Sequence, residues 1–230
     1  KLITTPTPEL KDGEVLVRHH YLSLDPYMRG RMNDGKSYAQ PQPLGQVMIG
    51  GTAGEVVESR HPRFQVGDQV VGMGGWAEQM YIRPDTLVYK VPSGMSPRVA
   101  VLAELMACAA SLDKLKEFSS MSHEGFNSGD TVVVIGSGPL GLLHIAKADM
   151  MGAGQILATD LSESRLAFAK KMGADHTMNA AQTSAEERID EVMRATNGRG
   201  ADVVLHMANS PASFVEGIEM LKRGDRKSDV

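Results

Sequence analysis

Between residues 15 and 92 the apolar positions come in short runs, at 15–17, 47–49, 55–57, 69–71 and 79–82, with glycine and proline punctuating the text between them. Runs of this length, so punctuated, predict β-strands joined by turns and hence a β-barrel or sandwich. Past residue 96 the pattern changes. Strand-like runs at 130–135, 155–159, 176–179 and 201–207 alternate with helix-like stretches at 139–151, 162–172, 185–196 and 211–222. Strict alternation of strand and helix predicts a parallel sheet wound by right-handed crossovers. The expected fold is therefore α/β, with a β-rich domain over residues 1–95 followed by a doubly wound domain over 96–230. A helix over 100–118 and a Ser/Gly-rich loop over 119–129 are expected to connect them.

Composition narrows the function. Of 230 residues, 42% are hydrophobic and 23% charged, which supplies a core and excludes disorder as the default state. A formal charge of −4 leaves no basic field to draw nucleic acid or anionic lipid, so neither is expected as a partner. No apolar run approaches the ~20 residues of a membrane-spanning helix, and no charged leader with an apolar stretch opens the chain. The reading is a cytoplasmic protein acting on a small molecule. Cys108 stands alone, so it makes no internal disulfide; within its alanine-rich surroundings it reads as a small buried hydrophobe. His19 and His20 are neighbours on one strand and point to opposite faces, so they cannot jointly grip a metal.

The most informative stretch is Gly136-Ser137-Gly138-Pro139-Leu140-Gly141, a G-x-G-x-x-G pattern between an apolar strand and a helix. Gly136 permits the tight turn, Gly138 carries no side chain to hold a diphosphate off the backbone, and Gly141 lets helix and strand approach. Pro139 falls in the first helical turn, where its missing N–H costs nothing. Unpaired amides and the helix dipole then face the phosphates. Asp160 follows Gly141 by 19 residues, near the ~20 expected of the carboxylate that accepts from a ribose 2′-hydroxyl. A carboxylate there repels the extra phosphate of NADP and favours NAD. Arg165 is a candidate for a 2′-phosphate, which keeps NADP open.

Residues 103–223 resemble the cofactor domain of the medium-chain dehydrogenase/reductase superfamily, above all its zinc-type alcohol and polyol dehydrogenases. The matching text is residues 103–109, the glycine turn with its flanking strands and helices over 129–179, and GRGADVVLHM at 198–207. The first half is similar to another branch. LSLDPYMRGRM at 22–32 and the stretch over 43–82 look like the zinc-independent double-bond reductases, which include alkenal, prostaglandin (leukotriene) and curcumin reductases. Both resemblances imply a GroES-like β-barrel domain followed by a Rossmann domain, with the active site in the cleft between.

On chemistry the two resemblances part. Zinc-type members hold the metal with a Cys, a His and an acidic residue. Here Ser23, Leu24 and Asp25 lie where the thiolate would fall, and Gln46 stands where the histidine would. Glu104 matches an acidic position near zinc in some relatives, and alone it makes no site, so no metal is expected. In the double-bond reductases the tyrosine of Asp-Pro-Tyr-Met-Arg hydrogen-bonds the carbonyl of an enone, which the resemblance carries to Tyr27. Hydride adds to the β-carbon while charge collects on that oxygen, and a donor placed there stabilises the enolate. The resemblance also implies that Ala208 and Asn209 contact the nicotinamide ribose. Arg29 and Arg31 alternate on an expected extended segment and read as surface charges. The leading expectation is an NAD(P)-dependent reductase of an activated C=C or carbonyl bond without catalytic zinc. A zinc-type alcohol or polyol dehydrogenase and a dinucleotide-binding protein without turnover are the alternatives.

A doubly wound dinucleotide domain uses six strands in the order 3-2-1-4-5-6. Four are legible here, and a charged run over 223–230 follows, so the Rossmann domain reads as incomplete at its C-terminus. Val203, Val204 and Leu205 are then expected to form an uncovered apolar edge, a route to a homo-oligomer.

Overall fold

The computed structural model describes residues 4, 6, 9–35, 40–115 and 126–223. The last three residues of the expected connecting helix, residues 119–125 of the expected loop, His123 and the charged run from 224 lie outside them. The chain divides into two compact units, Lys1–Glu104 and Leu105–Val230. The division falls later than residue 95 because a short helix, α2 (Pro97–Ala100), packs on the strands of the first unit. It also splits the expected helix over 100–118: α2 ends at a C-cap on Val101, and α3 (Ala103–Ala110) starts afresh.

The first unit is a five-stranded antiparallel sheet. Its strands are β1 (Val15–Leu22), β2 (Ile49–Ser59), β3 (Gln69–Gly75), β4 (Gln79–Ile82) and β5 (Val88–Lys90), in the order β4-β1-β2-β3-β5. Val15 and Val17 of β1 point inward and meet Val56, Phe64, Val70 and Ile82 in one core. The expected strand over 55–57 is part of β2, whereas that over 47–49 overlaps it only at Ile49. Gly50, Gly51 and Gly54 read as turn punctuation but lie inside β2, and at Gly50 and Gly54 neighbours come too close for a side chain. A Cβ on Gly54 would run into the Arg18 backbone carbonyl, and one on Gly50 would meet Met28 Cε at 2.5 Å. The segment expected to be extended around Arg29 and Arg31 is a helix, α1 (Pro26–Arg31). Extended Asp25 leads into Pro26, whose fixed φ suits a first helical position. Arg29 and Arg31 are two residues apart on that helix and do not share a face.

His19 shows how tightly this unit is built. Its Nδ1 donates to the Ala77 carbonyl at 2.9 Å, and its Nε2 is enclosed without a hydrogen-bond partner among the described residues. A Cβ on Gly74 would stand 2.9 Å from that nitrogen. Burial pushes the imidazole pKa below its ordinary value; the Ala77 and Gly75 carbonyls oppose the shift and His20 adds to it. A folded state that prefers neutral imidazole gives stability that is fully present above the ordinary histidine pKa. That stability is lost as the pH falls from there toward the folded value. Thermal unfolding followed by circular dichroism is accordingly expected to give a lower midpoint at pH 5 than at pH 7.5. His19→Gln should flatten that difference, and an unchanged difference would assign the pH dependence to another group.

In the second unit β6 (Thr131–Ile135), β7 (Gln155–Asp160), β8 (His176–Asn179) and β9 (Val203–His206) pair in parallel, in the order β8-β7-β6-β9. Read from β6 as strand one, that is the order 3-2-1-4 of a doubly wound sheet. Val132 to Ile135 are each at most 3% exposed, as a strand covered on both faces must be. Val132 and Val134 pack with Ile145, Ala148 and Ala169, from α4 (Pro139–Met150) and α5 (Glu163–Lys171). Val133 and Ile135 pack on the other face with Val192 and Met220, from α6 (Ala185–Ala195) and α7 (Pro211–Met220).

β9 is an edge strand, as expected, pairing with β6 on one side; the burial of its side chains differs from expectation. Val203 and Leu205 are buried under the flanking elements and Val204 is half-buried, so the apolar side chains are not laid bare. The start of that edge is also paired: Ala201 N–H donates to the Met220 carbonyl and Lys222 N–H to the Ala201 carbonyl, both at 2.8 Å.

Candidate functional site

The glycine turn joins β6 to α4 at the carboxyl end of the sheet, between β7 on one side and β9 on the other. Strand order reverses direction here, and the crevice outside such a reversal is where open α/β sheets take ligands. Gly136 has φ +96°, a conformation side chains disfavour, and its amide donates to the Thr159 carbonyl at 2.8 Å. A Cβ on it would lie 3.0 Å from the Ala208 amide, which places Ala208 directly against the turn. Asn209 follows and is exposed. A Cβ on Gly141 would be driven into the Gly136 carbonyl oxygen, so only glycine lets α4 start this close to the strand.

Gly138 behaves differently. It caps α4 with φ −69° and ψ −175°, and a Cβ built on it would meet no atom within 4 Å. The space beside it is open, as a diphosphate cradle requires. Pro139 occupies the first helical position, and the first helical bond runs from the Leu142 amide to the Gly138 carbonyl at 2.9 Å. The Leu140 and Gly141 amides precede that ladder and remain as donors at the positive end of the helix. These residues fit a dinucleotide's linked phosphates.

Two predicted ligands are also tied into the fold by hydrogen bonds of their own. Ser137 is fully buried; its amide donates to Asp160 Oδ2 at 2.9 Å and its hydroxyl to the Thr159 carbonyl at 3.3 Å. Both donors are spent inside the fold, so Ser137 fastens the turn and offers nothing to a phosphate. Asp160 is 8% exposed, and its Oδ1 accepts from the Ser162 amide at 2.9 Å. Arg165 Nη1 stands 3.6 Å from Asp160 Oδ2 on a largely exposed side chain. No sequence signal reports which way a carboxylate turns at a strand end, and the link from Asp160 to Ser137 was therefore not foreseen.

In the first unit Tyr27 is half-buried on α1, beside buried Met28. Ser23 donates its hydroxyl to Asp25 Oδ1 at 2.8 Å, and both residues are 6% exposed. Loss of hydration, with the charge of Asp25 adding to it, lifts the Glu104 carboxyl above its ordinary range. Gln46 is exposed, and so is Cys108, contrary to expectation: α3 buries Ala109, and the neighbouring position turns outward. Among the described residues no three His, Cys, Asp or Glu side chains converge to hold a metal ion. Among them, too, no helix is long and apolar enough to cross a membrane.

Comparison with known proteins agrees with this architecture. Residues 1–90 match the N-terminal domain of oxidoreductase family, and residues 139–227 match the zinc-binding dehydrogenase family. The NADPH-dependent curcumin reductase of Escherichia coli K12 is 54% identical over 77 residues, 34% of this chain and 22% of that protein. The sorbitol dehydrogenase of Bacillus subtilis 168 is 27% identical over an alignment spanning 100% of this chain and 71% of its own length. The crystal structure of CurA from Vibrio vulnificus in complex with NADPH superposes with a TM-score of 0.75 at 27% identity, covering 96% of this chain and 63% of that one. A barrel-type first unit and a doubly wound second unit carrying the glycine turn, each matched by its own family, define a two-domain dehydrogenase or reductase fold. Each half is thus similar to one domain of the medium-chain dehydrogenases and reductases, and the chain spans between 22% and 71% of the length of these relatives.

Proposed function

We propose that the chain is an NAD(P)-dependent oxidoreductase that reduces an activated C=C bond of an enone or alkenal, or a carbonyl bond, without catalytic zinc. The observation that carries this reading is the open face of Gly138 at the head of α4, where a bare Cα and two unladdered amides meet. When bound, the nicotinamide supplies hydride. Around it, the Leu140 and Gly141 amides hold the diphosphate, Ala208 and Asn209 border the ribose next to the nicotinamide, and Asp160 accepts from the adenosine ribose. Asp160 favours NAD; Arg165 accommodates NADP, in keeping with the NADPH-dependent curcumin reductase of Escherichia coli and the NADPH complex of CurA. Tyr27 donates its hydroxyl to the substrate carbonyl oxygen as charge collects there.

The zinc-type alternative is favoured by the full-length match to a sorbitol dehydrogenase and by Glu104. Against it, the described residues assemble no ligand set, with Gln46 standing exposed where an imidazole would be needed. The test titrates NADH and NADPH into the purified chain, follows nicotinamide fluorescence, and then adds an α,β-unsaturated ketone. A fluorescence change on binding and loss of nicotinamide absorbance with the ketone are expected. Silence toward both dinucleotides refutes the reading. Polyol oxidation together with stoichiometric zinc retained through dialysis selects the alternative.

A further inference from the structure

The glycine turn carries three glycines in six residues, and such a segment loses much conformational freedom when it is ordered. Two hydrogen bonds from its backbone amides fasten it to β7. One is the bond from the Gly136 amide to the Thr159 carbonyl, 2.8 Å; the other is the bond from the Ser137 amide to Asp160 Oδ2, 2.9 Å. The second is charge-assisted and belongs to the stronger class. The other oxygen of the same carboxylate takes the Ser162 amide just ahead of α5. One enclosed carboxylate therefore stitches together the turn after β6, the end of β7 and the start of α5. Each carboxylate oxygen carries more than one lone pair, so accepting from a ribose hydroxyl does not by itself require releasing either amide.

We infer that Asp160 is a positioning residue for the phosphate cradle, holding the glycine turn in its binding shape before any ligand arrives. The inference rests on the dinucleotide reading of the turn. Its consequence differs from that of a simple ribose acceptor. The diphosphate is common to NAD and NADP, so losing the fastener weakens both, because ordering the turn then falls on the binding step. A carboxylate that served only the 2′-hydroxyl would, when removed, weaken NAD and relieve the repulsion opposing NADP.

In the full chain without ligand, a through-hydrogen-bond scalar coupling between Ser137 ¹⁵N and Asp160 ¹³Cγ is expected. Fluorescence titration of Asp160→Ala should show NADH and NADPH each weakened about tenfold or more, NADH by the larger factor because it also loses its ribose acceptor, in line with the loss of charge-assisted bonds. Asp160→Asn, which keeps one acceptor oxygen, should fall between Asp160→Ala and the parent chain. If Asp160→Ala fails to fold, the coupling in the parent chain and the Asp160→Asn titration decide. Weaker NADH binding with NADPH unchanged or tighter overturns the inference while leaving the proposed function standing, and so does absence of the coupling. A parent chain that binds neither dinucleotide overturns the proposed function and, with it, the role given to this carboxylate.

Discussion

Gly138→Ala is expected to leave the protein as stable as the parent and to weaken dinucleotide binding at least ~100-fold, which at about 1.4 kcal/mol per decade is roughly 2.7 kcal/mol. Gly141→Ala, three residues on, is expected to do the reverse and cost the fold about 3 kcal/mol or more. The two glycines differ in what surrounds them. Gly138 sits at φ −69° and ψ −175°, a conformation alanine adopts freely, with no atom within 4 Å of its would-be Cβ. A methyl group there strains nothing and projects only into the space a diphosphate needs. At Gly141 the methyl group meets the Gly136 carbonyl oxygen, a backbone atom that cannot swing aside. Alanine's helix preference of about 1 kcal/mol over glycine pulls the other way and is too small to win. Urea unfolding read beside a fluorescence titration separates the cases. Parent-like affinity in Gly138→Ala would remove the phosphates from this turn, and parent-like stability in Gly141→Ala would show that the contact is relieved by movement.

The same comparison of glycines explains what could be read in advance. The turn was legible because its chemistry is local: a strand, a bare Cα and a helix start within six residues. The order of the parallel strands was legible because alternation admits few topologies. The first unit was less so. Gly50 and Gly54 look like loop punctuation in sequence, yet each is set by a close approach, such as the Arg18 carbonyl across the β1–β2 pair, that no local pattern encodes. The α1 helix was missed because six residues after a proline carry no periodicity that separates a helical turn from an extended one. Asp160 was placed correctly at a strand end, and its partners were not, because a carboxylate's acceptors are claimed by whichever amides the packed turn brings near. Cys108 was misjudged through composition: an alanine-rich helix buries one face, and residue type did not say which.

Glu216→Ala is expected to lower stability by about 3–5 kcal/mol, a large share of the 5–15 kcal/mol that holds an ordinary domain together. Arg188 on α6 and Glu216 on α7 form a two-pronged ion pair, Nε to Oε1 and Nη2 to Oε2, both 2.7 Å, with the residues 8% and 6% exposed. The guanidinium also donates to the Thr183 carbonyl and, at 3.1 Å, to the Thr183 hydroxyl. Donation to the Glu216 carboxylate holds the Arg188 pKa above its already high value, so the arginine cannot escape by losing its proton. Removing Glu216 strands a buried cation, and the cost is chiefly that of an uncompensated charge. Replacing both partners, as in Arg188→Met with Glu216→Leu, should therefore cost far less than the single change. The effect reaches the candidate site through the chain. α7 begins at Pro211, two residues after Asn209, and Glu216 is the point at which the pair ties that helix to α6. Hydrogen exchange in Glu216→Ala should rise at 207–210 as well as along α7. A loss below about 1 kcal/mol, the range of exposed pairs, would mean that water already reaches this one.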